Sequence, residues 1–196
     1  MLELPYNLGI GGALRTGFTY AVRNGYDRAV QFDADGQHDP LQVQPLLAGI
    51  DAGYDMMIGS RFATGGAVTY SVGRLRRMAM RFLQVLVRRL VRQPFTDTSS
   101  GFRAFSRPML DFFAMTYPVE FMDSVEALVL ACNAGFRVGE VGVNMRGRTG
   151  GAPSTRQLKL VYYYFRLVIV LLTGATRQRS RSAKQAAMEP RGEREA

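Results

Sequence analysis

Two carboxylates one residue apart, Asp33 and Asp35, stand at the end of an apolar run in Val30-Gln31-Phe32-Asp33-Ala34-Asp35-Gly36-Gln37-His38-Asp39-Pro40. Released from a strand into a turn marked by Gly36 and Pro40, the pair can meet a hard divalent cation together. Such cations take oxygen ligands, and Mg²⁺ commonly uses one or two carboxylates plus the phosphates of its substrate. The segment therefore reads as a place where a metal and a diphosphate are held. An ordinary polar loop after a strand has the same composition. His38, the only histidine of the chain, can contact metal or diphosphate there, or serve as a loop hydrogen-bonding group.

Cationic chemistry is concentrated elsewhere. Between Ser71 and Gln93, Arg74, Arg76, Arg77, Arg81, Arg88, Arg89 and Arg92 face no acid, and they supply a larger share of the net charge of +9 than the tail does. A face of this kind suits phosphates, nucleic acid or an anionic membrane surface, and it also describes a solvated helix face. Nucleic acid is the weakest of these partners, because the interleaving of basic and aromatic residues expected of such a module is missing. The lone Cys132 lies in the apolar run 127–132, which reads as core. One cysteine excludes an internal disulfide framework and fits a reducing compartment.

Elements must position these groups. Periodicity predicts a helix over Gly12–Asn24, a strand over Arg28–Phe32, and a helix over Pro40–Ala52 with Asp39 as its cap. A strand over Tyr54–Ile58 leads into Gly59-Ser60-Arg61-Phe62, and a Gly-rich loop covers Ala63–Tyr70. The Arg-rich segment places Leu75, Met78, Phe82, Val85, Leu86 and Leu90 at helical spacing. Strands are expected over Gly101–Phe105 and Phe136–Met145, and helices over Glu120–Asn133 and Thr155–Leu172. Alternation of this kind implies an α/β fold with a mainly parallel sheet flanked by helices. Ligands then bind beyond the carboxyl ends of the strands, where Asp33 and Asp35 fall.

The expected organisation is a domain over 1–154, an amphipathic or interfacial helix over 155–174, and a disordered basic tail over 175–196. The 47% hydrophobic content suits a globular core. No run reaches the ~20 apolar residues of a membrane span, and Met1–Pro5 lacks the marks of a signal peptide. A dinucleotide site is excluded: counted from Gly9, the third glycine position holds Leu14, and no strand precedes it.

Five motifs in order resemble those of the family 2 glycosyltransferases, and most closely the dolichyl- and polyprenyl-phosphate sugar synthases. They are Asn7-Leu8-Gly9-Ile10-Gly11-Gly12-Ala13-Leu14-Arg15-Thr16-Gly17-Phe18, the Asp33–Pro40 segment, Gly59-Ser60-Arg61-Phe62, Asp97-Thr98-Ser99-Ser100-Gly101-Phe102-Arg103, and Glu140-Val141-Gly142-Val143 with Arg146-Gly147-Arg148. The resemblance spans Asn7 to about Leu172. It implies a GT-A-type, Rossmann-like fold and a nucleotide-sugar donor contacted by Asp33, Asp35, Gly11 and Arg61. It also implies Mg²⁺ or Mn²⁺ held by Asp35, with Asp33 beside it and Gln37 as a further ligand, neutralising the leaving diphosphate.

A sugar hydroxyl as acceptor needs a general base. A lipid phosphate, with its second ionisation near pKa ~6, is already an anion at neutral pH and needs cations to orient it. Arg103, Arg146, Arg148 and the Arg-rich helix are the expected phosphate contacts. Asp97 is the expected base or organiser of the acceptor site, ahead of Glu120, Asp123 and Glu126. The segment Leu158–Thr173, aromatic at 162–165, suits a membrane interface, and the expected location is peripheral at the cytoplasmic face.

Two departures from the family pattern stand out. At Gly151-Ala152-Pro153-Ser154, Pro153 removes a backbone donor, leaving Ser154 as the expected substitute. The family's first strands, which hold base and ribose, have no counterpart before Asn7, so the expected fold is N-terminally truncated. A non-catalytic remnant that binds a partner or an anionic membrane through the Arg-rich helix is the competing reading.

Overall fold

The computed structural model describes residues 3, 6–64, 67–68, 74–118 and 123–145. Arg146, Arg148, Ser154, Glu120, the helix expected over Thr155–Leu172 and the basic tail lie outside the described residues.

Helix α1 (Gly9–Arg23) begins where the Asn7 Oδ1 accepts the Gly9 N–H at 2.8 Å. It leads through an Asn24-Gly25 turn into β1 (Arg28–Gln31), where the first strand was expected. The Asp39 carboxylate accepts the Leu41 N–H at 3.0 Å and caps a 3₁₀ turn, Pro40–Gln42, that opens into α2 (Val43–Asp51). The predicted cap is thus in place, and the proline tightens the first turn. There follow β2 (Met56–Ser60), β3 (Ala67–Val68), α3 (Arg74–Val91), β4 (Arg103–Ser106), α4 (Arg107–Thr116), α5 (Asp123–Asn133), β5 (Val138–Gly142) and β6 (Asn144–Met145). Helix α4 was not expected from the sequence, and β3 lies inside the expected loop.

The main sheet has the order β1-β4-β2-β5. Strands β1, β2 and β5 run in one direction, as alternation of helix and strand requires. Strand β4 runs against both of its neighbours, pairing Arg103 with Gln31 on one side and with Ile58 on the other. The sheet is therefore mixed at its centre rather than mainly parallel. This reversal has a consequence for position: the loop that enters β4 lies at the edge where β1 and β2 end.

Side chains of β4 alternate between the two faces. Phe102 and Ala104 pack with Leu46, Met57, Val143 and Met145 beneath α2. Phe105 points the other way, its ring 5.0 Å from Phe18 of α1 and 5.9 Å from Phe113 of α4. Burial of aromatic and aliphatic side chains like these contributes about 1.5–3 kcal/mol each. Two packed faces thus fix the sheet and its carboxyl edge.

Candidate active site

Asp33 and Asp35 leave the end of β1 in a turn that is held locally. The Asp35 Oδ1 accepts the Gln37 N–H at 3.0 Å, across Gly36 at φ 78°, a left-handed conformation that suits glycine. The Asp33 N–H donates to the His38 Nδ1 at 3.1 Å, which leaves Nε2 as the protonated nitrogen of the neutral ring. That Nε2 stands 4.0 Å from Asp33 Oδ2, while the Asp33 side chain is 51% exposed. His38 itself is buried, stacked on Phe102 at 4.7 Å and edge-on to Phe32 at 5.5 Å. Desolvation lowers its pKa below the ordinary histidine value. Asp33 and Asp35 pull the other way, and Arg61 adds to the lowering. Of its two expected roles, His38 fills the loop hydrogen bond.

Arg61 follows the end of β2, and its partner is Asp97. Arg61 Nε donates to Asp97 Oδ2 at 2.6 Å and Nη2 donates to Oδ1 at 2.7 Å, a bidentate pair. The Arg61 backbone N–H reaches the same Oδ2 at 3.2 Å, and Nη2 also reaches Ser99 Oγ at 3.1 Å. The Asp97 side chain is fully buried and that of Arg61 is 12% exposed. A carboxylate so engaged is disposed to fix a cation and badly placed to take a proton from an acceptor. The organiser role expected for Asp97 fits this geometry, and the base role does not.

Glu140 of β5 holds the same loop from the other side. Its Oε1 accepts the Asp97 N–H at 2.8 Å, and its Oε2 accepts the Thr96 N–H at 2.7 Å and the Thr96 hydroxyl at 3.1 Å. The Thr96 hydroxyl lies 2.6 Å from Ser60 Oγ, which in turn accepts the N–H groups of Phe62 and Ala63, each at 3.1 Å. Gln84 of α3 donates to the Thr96 carbonyl.

Arg103 requires a correction. The expected phosphate contact is completely buried, donating from Nε to the Ser100 carbonyl at 2.9 Å and from Nη2 to the Thr98 carbonyl at 3.2 Å. Its place on β4 turns it into the protein, where a phosphate has no access, and it braces the loop instead. Gly11, expected on the donor side, is a buried residue of α1.

The structure therefore brings Asp33, Asp35, Arg61 and Asp97 to one sheet edge and leaves Arg103 there buried, bonded to carbonyls of the loop that carries Asp97. Ser60 and Glu140 stand inside motifs quoted from the sequence but were given no role there, and Thr96 was not singled out. A glutamate inside Val138–Val143 was the available signal, since a carboxylate on an otherwise apolar strand must find donors. Gly101 closes the site from below: a Cβ there would lie 2.9 Å from Asp33 Oδ2.

The groups on the turn suit a hard cation, being carboxylate and amide oxygens with the Asp33 carboxylate open to solvent. Among the described residues, no three His, Cys, Asp or Glu side chains converge as a ready-made metal cluster. Phosphate oxygens would have to complete any coordination shell here. A groove of about 610 Å³ runs along α1 from Leu8 to Arg23, and it is not lined by Asp33, Asp35, Arg61 or Asp97. On α3, Met78, Phe82 and Val85 are 68%, 60% and 53% exposed, beside the exposed Arg81, Arg88 and Arg89. No helix among the described residues is long and apolar enough to cross a membrane.

Residues 1–113 match the family model described as Glycosyl transferase family 2. The chain is 32% identical over 145 residues to a polyprenol monophosphomannose synthase of Mycolicibacterium smegmatis, covering 73% of this chain and 54% of that protein. It is 33% identical over 144 residues to a UDP-N-acetylglucosamine–dolichyl-phosphate N-acetylglucosaminyltransferase of Methanococcus voltae, covering 70% of this chain and 55% of that protein. The chain thus spans about half the length of these curated relatives. Among solved structures, glucosyl-3-phosphoglycerate synthase of Mycobacterium tuberculosis, in complex with Mg²⁺ and uridine diphosphate, superposes with a TM-score of 0.62. The identity is 21%, over 88% of this chain and 56% of that one. At that identity the likeness shows the fold, which is of the GT-A type.

Proposed function

This chain belongs to glycosyl transferase family 2, and from that premise we propose that it carries the diphosphate corner of an enzyme moving a sugar from a nucleotide-sugar donor to a polyprenyl-type phosphate. The observation that carries the reading is the placement, at one sheet edge, of the Asp33/Asp35 turn and an arginine locked by a buried carboxylate. An acid pair with Asp33 open to solvent and a fixed guanidinium are complementary to a metal-bound diphosphate. The two relatives are named for different sugars, mannose and N-acetylglucosamine, and both for polyprenyl-type acceptors. The acceptor class therefore has more support than any one sugar.

In this reading an acceptor phosphate oxygen forms a bond to the anomeric carbon. The bond from that carbon to the diphosphate oxygen breaks, and its electron pair leaves with the nucleoside diphosphate. The acceptor is already an anion at neutral pH, so no residue has to remove a proton, which agrees with an Asp97 committed to Arg61. Arg61 is preorganised toward the charge that develops on the leaving group. Asp35, with Asp33 and Gln37 beside it, would hold Mg²⁺ or Mn²⁺, which when bound neutralises the diphosphate as a Lewis acid. Gly11 would lie on the donor side, and Arg146, Arg148 and Ser154 would orient the acceptor phosphate.

Transfer of label from nucleotide sugars to polyprenyl phosphate in vesicles tests the reading, together with Mn²⁺-dependent binding of a nucleotide-sugar panel. Both are done on this chain and on a version extended at its N-terminus. Asp35→Ala is expected to abolish metal-dependent transfer, and full retention of activity would sink the assignment.

The exposed face of α3 favours a second reading, attachment to an anionic membrane without catalysis. Three exposed apolar side chains beside exposed arginines suit a lipid headgroup layer. Sedimentation with anionic vesicles, but not with neutral vesicles or oligonucleotides, together with no transfer from any donor, is the outcome that selects it.

A further inference from the structure

The hydrogen bonds that run from β5 to the end of β2 pass through one residue that touches no expected ligand. We propose that Glu140 is a positioning residue, acting through Asp97 to aim the Arg61 guanidinium. The inference rests on the reading of Arg61 as a phosphate-facing cation for its functional meaning, and on geometry alone for the linkage.

Glu140 uses both carboxylate oxygens on two consecutive backbone N–H groups, Thr96 to Oε2 at 2.7 Å and Asp97 to Oε1 at 2.8 Å. Two bonds to adjacent peptides fix the plane of the peptide between them, and with it the direction in which the Asp97 side chain leaves the chain. The Asp97 carboxylate, fully buried, then has one orientation in which it meets Arg61 Nε at 2.6 Å, Nη2 at 2.7 Å and the backbone N–H at 3.2 Å. A rotation at Asp97 breaks all three together, because a bidentate pair tolerates little angular error. The Thr96 hydroxyl ties the same glutamate to Ser60 at the end of β2, one residue before Arg61. Asp97 bonds to Arg61 directly, while Glu140 is balanced by peptide N–H donors.

The isosteric change Glu140→Gln is the discriminating variant. Its amide can accept at one oxygen, but it turns an NH₂ toward a peptide N–H, so one of the two anchoring bonds is replaced by a repulsion. The first measurement is the exchange rate of the Arg61 Nε proton by ¹⁵N NMR, assigned by its loss in Arg61→Lys. Exchange is expected to speed up by about tenfold or more in E140Q, the scale of one lost hydrogen bond to a charged group. The second is affinity for Mg²⁺-pyrophosphate, expected to fall by about the same factor. Combined with R61K, E140Q should then add little further loss, because both act on one contact.

An unchanged Nε exchange rate alongside a lowered melting temperature would mark Glu140 as a plain strand-to-loop brace and overturn the proposal. Fully multiplying losses in the double variant would do the same. If the wild-type chain does not bind pyrophosphate, the donor reading fails on its own, and the NMR arm still decides on Glu140. Should E140Q fail to fold, Thr96→Val removes only the hydroxyl link. The same acceleration, in smaller degree, is then expected, and its absence counts against the proposal.

Discussion

The acid turn over 33–39 and the loop over 96–101 meet at one sheet edge, yet they are held there in opposite ways. The side-chain bonds of the turn span two to five residues, Asp35 to Gln37, Asp39 to Leu41, and Asp33 to His38, and a backbone bridge joins His38 to Met145 of β6. The loop is fixed by partners 36 residues away at Ser60 and Arg61, and 43 to 44 residues away at Glu140. The turn leaves half of the Asp33 side chain in solvent, whereas the loop buries the Asp97 side chain completely. A turn whose side-chain bonds are mostly local can offer its charges to a ligand with little effect on the rest of the fold. A loop stitched into the sheet cannot change without the sheet. Substitutions in the loop should therefore register chiefly as lost stability, and those in the turn as lost binding.

The largest stability effect is expected from Asp97→Ala. It leaves Arg61 without its carboxylate in a setting where the guanidinium is only 12% exposed. Breaking a buried pair from one side costs about 3–5 kcal/mol, and the partial exposure of Arg61 puts this case at about 3. Urea unfolding measures it, and a loss as small as that of an ordinary surface change would break the distinction between the regions. Arg103→Met comes next. The methionine fills much of the space on the face shared with Phe105, but the Thr98 and Ser100 carbonyls lose their donors. About 2 kcal/mol is expected from two buried acceptors left to find others. If Arg103 instead contacted a phosphate, the same variant would lose binding and keep its unfolding midpoint.

Cys132, on α5, sharpens the comparison through pH. Burial pushes its thiol up to about 11, and the nearby Arg103 offsets a part of that. The folded value lies above the unfolded one, so the contribution to stability is complete below the ordinary thiol range near ~8.5 and is lost as pH rises toward ~11. The free energy of unfolding should drop over that interval by about 2–3 kcal/mol, at ~1.4 kcal/mol per unit of difference. In Cys132→Ala this part of the alkaline slope should flatten. Below pH 8 the native thiol should alkylate roughly two orders of magnitude more slowly than in the unfolded chain, because so little thiolate is present. Fast alkylation of the native protein would show that the α5 side of the sheet is open, and that the brace at Arg103 is weaker than its geometry implies.

The same contrast governs what could be read from the sequence. The acid turn was legible because its cues are local: an apolar strand, Gly36, and Asp39 before Pro40 all act within a few residues. The helical spacing of α3 was legible for the same reason. Arg103 was misread because an arginine that donates to buried carbonyls and one that donates to phosphate carry the same donors. Only the register of β4 against Gln31 and Ile58 tells them apart. The reversal of β4 was hidden as well, since alternation of helix and strand announces parallel neighbours and says nothing of a strand inserted backward. Helix α4 went unread although Met109, Leu110 and Phe113 are spaced to share one face and Arg107 pairs with Asp111 on the exposed side, because ten residues are short for a periodic signal. Asp97 was found as an important acid, but its task is set by Arg61 and Glu140, which no spacing rule connects to it.

The smallest stability change is expected where the two regions touch. Gly101 belongs to the loop, and a Cβ there would lie 2.9 Å from Asp33 Oδ2, 3.4 Å from Oδ1 and 3.3 Å from Gln31 Nε2. The crowded atoms are the ends of side chains, and the carboxylate can swing toward solvent. Gly101→Ala should therefore change stability by less than about 1 kcal/mol, helped by the lower entropy of the unfolded alanine chain. The swing nevertheless takes Asp33 away from the place where it stands beside Asp35. Mn²⁺-dependent binding of a nucleoside diphosphate, followed by calorimetry, should weaken by about tenfold, the scale of ~1.4 kcal/mol. A variant as unstable as Arg103→Met would mean that the turn leans on the loop more than its local bonds indicate. Unchanged binding in a stable variant would remove Asp33 from the ligand set and leave Asp35 as the acid that the site depends on.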